Sequence, residues 1–246
     1  MSWSQRVSQY LPASTVGIAS HLRRGALYFR DARALAPVLR EVRELTMVRQ
    51  PALLDVARHA QRVVREEVPG DFVECGVWQG GCAFLMAKVA ERLGSDRTVW
   101  LCDSFEGLPP PEDVDGEDAI AWAEAKDPDN YFDNCRASLE DVQTSAERLG
   151  VQARTHFVKG WFEDSLPGVR EEIGAIALLR IDADWYSSVR CCLDQLYDLV
   201  SDGGIVVLDD YYAWEGCALA THEFLAERGQ PHRIRQGEGS AWFRKE

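Results

Sequence analysis

The chain has 246 residues, of which 46% are hydrophobic, and its formal net charge is −13. This length and apolar content suit one sizeable α/β domain with a full core and leave no room for a second complete domain. The excess of acid excludes a nucleic-acid backbone or an anionic membrane surface as the main partner, so we expect a small-molecule partner.

The cysteines and the N-terminus predict where the protein resides. Seven cysteines are an odd number without a CxxC pair, which is typical of a reduced, cytoplasmic protein. The first twenty residues lack the long apolar core of a signal peptide, and no later apolar run approaches the ~20 residues of a membrane span. We therefore expect a soluble protein that is not exported.

The N-terminal quarter carries weaker patterns than the remainder. Residues 1–30 predict a solvated arm, with a subunit contact as the alternative, because arginines alternate with aromatic residues there. Residues 34–46 predict a helix, and a second helix begins at Pro51, since proline suits a first helical position. We therefore divide the chain into an arm with a helical cap or lid, residues 1–68, and a main domain, residues 69–246.

The main domain alternates short apolar runs with helical periodicity, which predicts a parallel sheet flanked by helices. Residues 104–130 form a long acid-rich stretch with proline and glycine, which predicts a loop that is either functional or disordered. The predicted strands are DFVEC, TVWLCD, THFVKG, AIALLRI and GIVVLD, the predicted helices span 82–93, 133–150, 187–200 and 215–228, and HRIRQ and SAWFRK predict a closing antiparallel pair.

Four carboxylates follow two of these strands. LLRIDADWYSS contains Asp182 and Asp184, and GGIVVLDDYY contains Asp209 and Asp210. The carboxyl ends of parallel strands carry the chemistry in open sheets, so the four acids are expected at one rim. Carboxylates so close together repel one another unless a cation joins them, and oxygen ligands favour Mg²⁺. The alternative is that these acids cap the helices that follow.

A glycine-rich turn follows the first strand of the main domain. Glycines there let a ligand approach the backbone, and the next helix offers its N-terminal N–H groups. Glu74 begins the turn and Asp103 ends the second strand, and two acids suit a ribose-bearing, neutral-to-cationic cofactor better than a pyrophosphate. This predicts S-adenosylmethionine. A tight structural turn with a solvated Glu74 is the alternative, because glycine motifs alone are weak.

The chain resembles the macrocin O-methyltransferase (TylF) family of sugar O-methyltransferases over roughly residues 45–246. The resemblance implies an α/β, class I methyltransferase, Rossmann-like fold with a seven-stranded, mostly parallel sheet in the order 3-2-1-4-5-7-6, strand 7 antiparallel. It also implies an Mg²⁺-dependent transferase that moves a methyl group from S-adenosylmethionine to a sugar hydroxyl of an antibiotic-type natural product. The resembling segments are TMVRQP, GDFVECGVWQGG, TVWLCDSFEGLPPP, FVKGWFEDSLP, LLRIDADWYSS, GGIVVLDDYYAWEGC and HRI.

The same resemblance implies roles for individual residues. Asp184 matches the general base, and the metal ligands match Asp182, Asp209 and Asp210. Competing interpretations remain for Trp161, which can equally belong to the core, and for residues 46–48, which can simply connect helices. The implied contacts to the cofactor are Thr46, Met47, Val48, Glu74, Gly76, Asp103, Ser104, Trp161 and Asp182.

Departures from the family leave the acceptor open. Cys75 stands where a small hydroxyl residue is common, and Trp185 replaces an aliphatic residue beside the implied base, where it could stack on a sugar or ring. Residues 112–129 are the least family-like stretch. The alternatives are therefore methylation of a phenolic or catechol hydroxyl, or a non-catalytic S-adenosylmethionine-binding protein.

The family resemblance and the need to exclude water also predict the assembly. Family members are homodimers whose N-terminal segments help to build the neighbouring site, so we expect a homodimer with the N-terminal region, residues 1–50, at the interface. We expect residues 107–130 to form a lid over the acceptor, because they are too polar to pack unaided and methyl transfer requires a dry site.

Overall fold

The computed structural model describes residues 33–125, 135–229 and 232–246. The chain divides into two units, Met1–Pro37 and Val38–Glu246. The arm predicted for residues 1–30 lies outside the described residues, and the domain boundary at residue 68 stays a prediction.

Seven strands form one sheet in the order β3-β2-β1-β4-β5-β7-β6. Strands β1 to β5 pair in parallel, and β7 runs antiparallel to β5 and β6. This order and the antiparallel β7 confirm the predicted fold class. The strands are β1 (Asp71–Cys75), β2 (Val99–Asp103), β3 (Thr155–Lys159), β4 (Ile176–Ile181), β5 (Val200–Leu208), β6 (Arg235–Gln236) and β7 (Ala241–Arg244).

The helices cover the sheet, and their apolar faces complete the core. Every residue of β4 is buried, as expected for a central strand covered on both faces. Residues 33–42 are also helical. The other helices are α1 (Gln50–Arg65), α2 (Gly81–Arg92), α3 (Glu117–Glu124), α4 (Leu139–Leu149), α5 (Phe162–Ile173), α6 (Tyr186–Leu196) and α7 (Glu215–Glu227).

The structure corrects three boundaries or assignments. Helix α3 lies inside the stretch predicted to be a loop. Helix α5 was not predicted, because Pro167 interrupts the pattern, yet the helix continues through it. Helix α4 begins at Leu139 and not at residue 133, since the Ser138 side chain accepts the Asp141 N–H and caps the helix there.

Two further observations concern membrane spans and the exposure of a histidine. No helix in the described part of the chain combines the length and the apolar character needed to cross a membrane. The side chain of His156 is exposed on the outer strand β3.

His59 is the buried histidine that should make stability depend on pH. Burial first, and then the charges of Arg62 and Arg58, lower its pKa to about 3. Since the unfolded chain binds the proton near pH 6.5, the unfolding free energy should fall as the pH drops below that value, by up to about 1.4 kcal/mol per pH unit.

We expect His59→Gln to flatten this dependence between about pH 6.5 and 4, because that variant has no proton to take up at residue 59. Urea unfolding of both proteins across this range measures the effect, with exposed His156→Gln as the matched control. An identical pH dependence in the native protein and His59→Gln would contradict the assignment.

Candidate active site

A cleft opens at the carboxyl ends of the central strands. Its position agrees with the rule that open α/β sheets bind ligands beyond the carboxyl ends of their strands. The cleft is lined by Met47, Gly76, Trp78, Asp103, Ser104, Gly107, Leu108, Pro109, Cys135, Trp161, Phe162, Asp182, Ala183, Asp184 and Ser188.

The turn after β1 needs glycine for a steric reason. Gly76 has φ +81°, and a Cβ at this position would meet the backbone carbonyl oxygen of Asp182, so β1 and the end of β4 approach closely. Gly80, with φ +87°, is the N-cap of α2. Gly76 and Trp78 of this turn line the cleft, and the turn leads directly into α2.

Asp103 is fixed by the backbone of this turn. Its Oδ2 accepts the N–H of Val77 at 2.7 Å and of Trp78 at 3.3 Å, and its Oδ1 accepts the N–H of Phe105 at 2.7 Å. Burial raises the pKa of the Asp103 carboxyl, and these three hydrogen bonds oppose the rise. Each carboxylate oxygen has two lone pairs, so Asp103 retains capacity for a further donor in the cleft.

The acid cluster lies at the ends of β4 and β5. One oxygen each from Asp182, Asp209 and Asp210 lies within 4.8 Å of the others. The alternative prediction was that these acids cap the helices that follow them. Neither α6 nor α7 receives a side-chain cap from them. Burial raises the pKa of Asp209 to about 6, against the opposing charge of Arg180, and raises the pKa of Asp210 well above its ordinary value.

Arg180 is the counter-charge of this cluster. Its side chain is 1% exposed, and its Nη1 donates to Glu74 Oε1 at 2.6 Å and to Asp182 Oδ2 at 2.7 Å. Its Nη2 lies 2.7 Å from Asp209 Oδ1, an ion pair without hydrogen-bond geometry. Burial lowers the pKa of Arg180, but Asp182 and Asp209 raise it above its usual value. One cation therefore joins β1, β4 and β5.

Asp184 stands apart from this ion-pair network. It has φ +54°, which is unusual for a residue with a Cβ, and its backbone N–H donates to Asp210 Oδ2 at 3.0 Å. Its Oδ1 accepts the indole N–H of Trp214 at 2.9 Å. Burial, followed by the charge of Asp182, raises the pKa of the Asp184 carboxyl to about 7, and the Trp214 hydrogen bond opposes the rise.

The acid-rich stretch is anchored to α6 beside the cleft. Asp115 is 2% exposed, and its Oδ1 accepts the N–H of Tyr186 at 2.7 Å, so this acid supplies the N-terminal hydrogen bond of α6. The indole N–H of Trp185 donates to the Pro109 carbonyl at 2.8 Å. Trp185 is 2% exposed and does not line the cleft, which corrects the expectation that it could stack on an acceptor.

Seven of the twelve sequence-predicted site residues line one cleft, and the other five, Thr46, Val48, Glu74, Asp209 and Asp210, do not. Glu74 is 1% exposed and faces Arg180, with its second oxygen buried and unpartnered among the described residues. Thr46 and Val48 lie outside the lining, where the Thr46 hydroxyl accepts the Val48 N–H at 3.1 Å. Met47 between them is 57% exposed and lines the cleft.

Three residues of the site were missed from the sequence. Arg180 was read as part of an apolar strand, although a charged residue in such a run, two residues before Asp182, signals a buried ion pair. Trp214 gave no signal, because its contact with Asp184 spans 30 residues. Trp78 lines the cleft with a buried indole N–H that has no partner among the described residues.

The sheet order, the glycine turn after β1 and the acidic cleft together define a class I methyltransferase. The family model described as macrocin-O-methyltransferase (TylF) matches residues 30–245. The chain therefore belongs to the macrocin O-methyltransferase family and is an O-methyltransferase.

Relatives and a solved structure agree with this membership. The 8-demethyl-8-(2,3-dimethoxy-alpha-L-rhamnosyl)-tetracenomycin-C 4'-O-methyltransferase of Streptomyces olivaceus is 34% identical over 200 residues, covering 80% of this chain and 74% of that protein. The mycinamicin III 3''-O-methyltransferase of Micromonospora griseorubida is 31% identical over 93% of this chain and 92% of its own. The structure of the O-methyltransferase NovP aligns with a TM-score of 0.70, 33% identity and 82% coverage of each chain.

Proposed function

We propose that this protein transfers a methyl group from S-adenosylmethionine to a sugar hydroxyl of a glycosylated natural product, with a divalent metal ion such as Mg²⁺ at the acid cluster. The observation that carries this proposal is that Asp184, Asp182, Asp103 and Gly76 of the glycine turn line one cleft. The sugar acceptor is supported by the similarity to the tetracenomycin and mycinamicin enzymes.

Three residues that line the cleft support S-adenosylmethionine as the cofactor. Gly76 lets the end of β1 approach the Asp182 carbonyl, and Asp103 keeps acceptor capacity for ribose hydroxyls. The indole N–H of Trp78, which has no partner among the described residues, offers a donor. Bound there, the cofactor supplies an electrophilic methyl group.

The acid cluster fits a hard divalent cation. Three carboxylates within reach of one point are oxygen ligands of the kind that Mg²⁺ prefers. Arg180 contacts only one oxygen each of Asp182 and Asp209, so both side chains retain an oxygen for an ion. Bound between Asp182, Asp209 and Asp210, the ion would lower the pKa of an acceptor hydroxyl and orient it.

Asp184 is the residue that takes the acceptor proton. Unlike Asp182 it does not pair with Arg180, and unlike Asp103 its side chain is not held by three backbone N–H groups. Burial raises its pKa, which makes its carboxylate a stronger base. The other cleft walls, among them Trp161 and Phe162, exclude water from the reacting groups. Homodimerisation, cytoplasmic location and the lid role of residues 107–130 stay predictions.

Cofactor binding and turnover on two classes of acceptor distinguish this proposal from its alternatives. Purified protein is first titrated with S-adenosylmethionine in a calorimeter, and binding at micromolar to sub-millimolar Kd is expected. Turnover is then compared on deoxysugar glycosides and on catechols by mass spectrometry. Methylation confined to catechols would replace the sugar acceptor by a phenolic one, and cofactor binding without transfer to either class would support a non-catalytic binding protein.

Metal dependence should appear in binding as well as in activity. We expect Asp209→Asn to weaken Mg²⁺ binding, measured by calorimetry, because one of the three carboxylate ligands loses its charge. The Kd of S-adenosylmethionine should change little, and EDTA should abolish turnover of the native protein. The matched control is Asp202→Asn, an exposed aspartate on β5. Full activity in EDTA would contradict the metal assignment.

A further inference from the structure

The contact between Trp214 and Asp184 joins a residue before α7 to the acid that takes the proton. Its length is 2.9 Å from the indole Nε1 to Oδ1 of the carboxylate. Because an indole N–H donates a single hydrogen bond and accepts none, it fixes one oxygen and leaves the other free.

The position of Trp214 is itself determined by packing. Its ring lies 5.3 Å from the ring of Trp185 and 5.8 Å from that of Trp122, and these two rings are 6.0 Å apart. Trp122 belongs to α3 and Trp185 is the N-cap of α6, so two separate segments hold the indole in place. Tilted aromatic pairs at these distances are favourable and geometrically specific.

Asp184 needs such a support. Its left-handed backbone is unfavourable for a residue with a Cβ, and it persists only where surrounding contacts hold it. The Asp210 carboxylate holds the backbone N–H, and the Trp214 indole holds the side chain. Together the two contacts determine where the second carboxylate oxygen points.

We propose that Trp214 is a positioning residue for methyl transfer: its indole N–H holds Oδ1 of Asp184 so that Oδ2 is presented to the acceptor hydroxyl. This role rests on the proposed function of Asp184 as the base. The acid-rich stretch also takes part in this positioning, because Trp122 of α3 packs against the Trp214 indole. Trp214 touches neither the methyl group nor the acceptor.

The chain offers a closely matched control. Trp100 also donates its indole N–H to an aspartate, Asp71, at 3.1 Å. Asp71 is the first residue of β1, so this contact lies at the end of the strand opposite the cleft. Phenylalanine at either position keeps an aromatic ring and removes the N–H group together with the fused five-membered ring. Trp214→Phe and Trp100→Phe therefore lose the same chemical contact at two distances from the site.

The first test is a kinetic double-mutant cycle with Asp184→Asn. Trp214→Phe should lower kcat by about 10- to 100-fold, with KM and the Kd of S-adenosylmethionine nearly unchanged. In the Asp184→Asn background the same substitution should cost almost nothing further, because no base remains to be positioned. Trp100→Phe should keep near-native kcat.

The positioning role would be overturned if Trp214→Phe lowered kcat equally in the native and Asp184→Asn backgrounds. It would also be overturned if Trp214→Phe kept a native kcat while Asp184→Asn was impaired, and in both cases the proposed base would stand. A native kcat for Asp184→Asn would overturn the proposed base as well.

The second test detects the contact between Trp214 and Asp184 by NMR and needs no turnover measurement. The Trp214 indole N–H resonance, assigned through the backbone so that no Trp214 variant has to fold, should shift when Asp184→Asn removes the charged acceptor. The Trp100 indole resonance should stay in place. An unmoved Trp214 resonance would overturn the proposal.

Discussion

Replacing Asp184 by asparagine is expected to lower kcat by about 10²- to 10⁴-fold, the usual contribution of a positioned general base. The amide keeps the size of the side chain and can still accept the Trp214 N–H, so the loss would come from basicity and not from packing. Single-turnover and steady-state rates, measured with the acceptor found in the panel, determine the effect.

Two binding measurements separate a base from a ligand at this position. The Kd values of Mg²⁺ and of S-adenosylmethionine should stay near those of the native protein in Asp184→Asn. The matched control is Asp113→Asn, since Asp113 is an exposed acid of the anchored stretch. If Asp184→Asn loses Mg²⁺ instead, Asp184 is a metal ligand and the assignment as base is wrong.

Replacing Arg180 by methionine is expected to lower the free energy of unfolding by about 3–5 kcal/mol, because it leaves a buried carboxylate without its partner. Glu74 is 1% exposed, and burial raises its pKa to about 8 even though Arg180 opposes the rise. Without Arg180 the repulsion among Asp182, Asp209 and Glu74 has no internal counter-charge. Urea unfolding monitored by circular dichroism measures the loss.

The matched control is Arg244→Met. Arg244 also lies on a strand and also meets a glutamate, Glu66, at 2.6 Å, but the two side chains are 38% and 42% exposed. Exposed pairs contribute at most about 1 kcal/mol, so this variant should be nearly as stable as the native protein. The double variant Glu74→Gln/Arg180→Met should recover part of the stability lost by Arg180→Met. Equal losses for Arg180→Met and Arg244→Met would contradict the account.

The sequence predicted the parts of the fold that local patterns encode. Buried parallel strands are short apolar runs, so β1 to β5 were found, and strand-end acids such as Asp182 and Asp209 followed from the topology. Helix α5 was missed because Pro167 usually breaks a helix, whereas here packing overrides that tendency. Helix α3 was missed because its charge density resembles that of a loop.

Side-chain partners were the part that the sequence could not reveal. Arg180 meets Glu74 across 106 residues, and Tyr186 meets Asp115 across 71, so neither contact leaves a local pattern. Trp185, which the sequence suggested could stack on an acceptor, is instead 2% exposed and lies outside the cleft lining. Its indole N–H donates to the Pro109 carbonyl, a contact that spans 76 residues. Membership of the family implied the roles of the acids but not the residues that hold them.

The most direct measurement of the central claim uses S-adenosylmethionine with a deuterated methyl group. The purified protein is incubated with Mg²⁺, this cofactor and the panel of glycosylated natural products, and the products are analysed by mass spectrometry and NMR. The account predicts one labelled methyl group on a sugar oxygen, with no transfer by Asp184→Asn at matched protein concentration. Label on a nitrogen, a carboxylate or a phenolic oxygen, or equal transfer by Asp184→Asn, would contradict it.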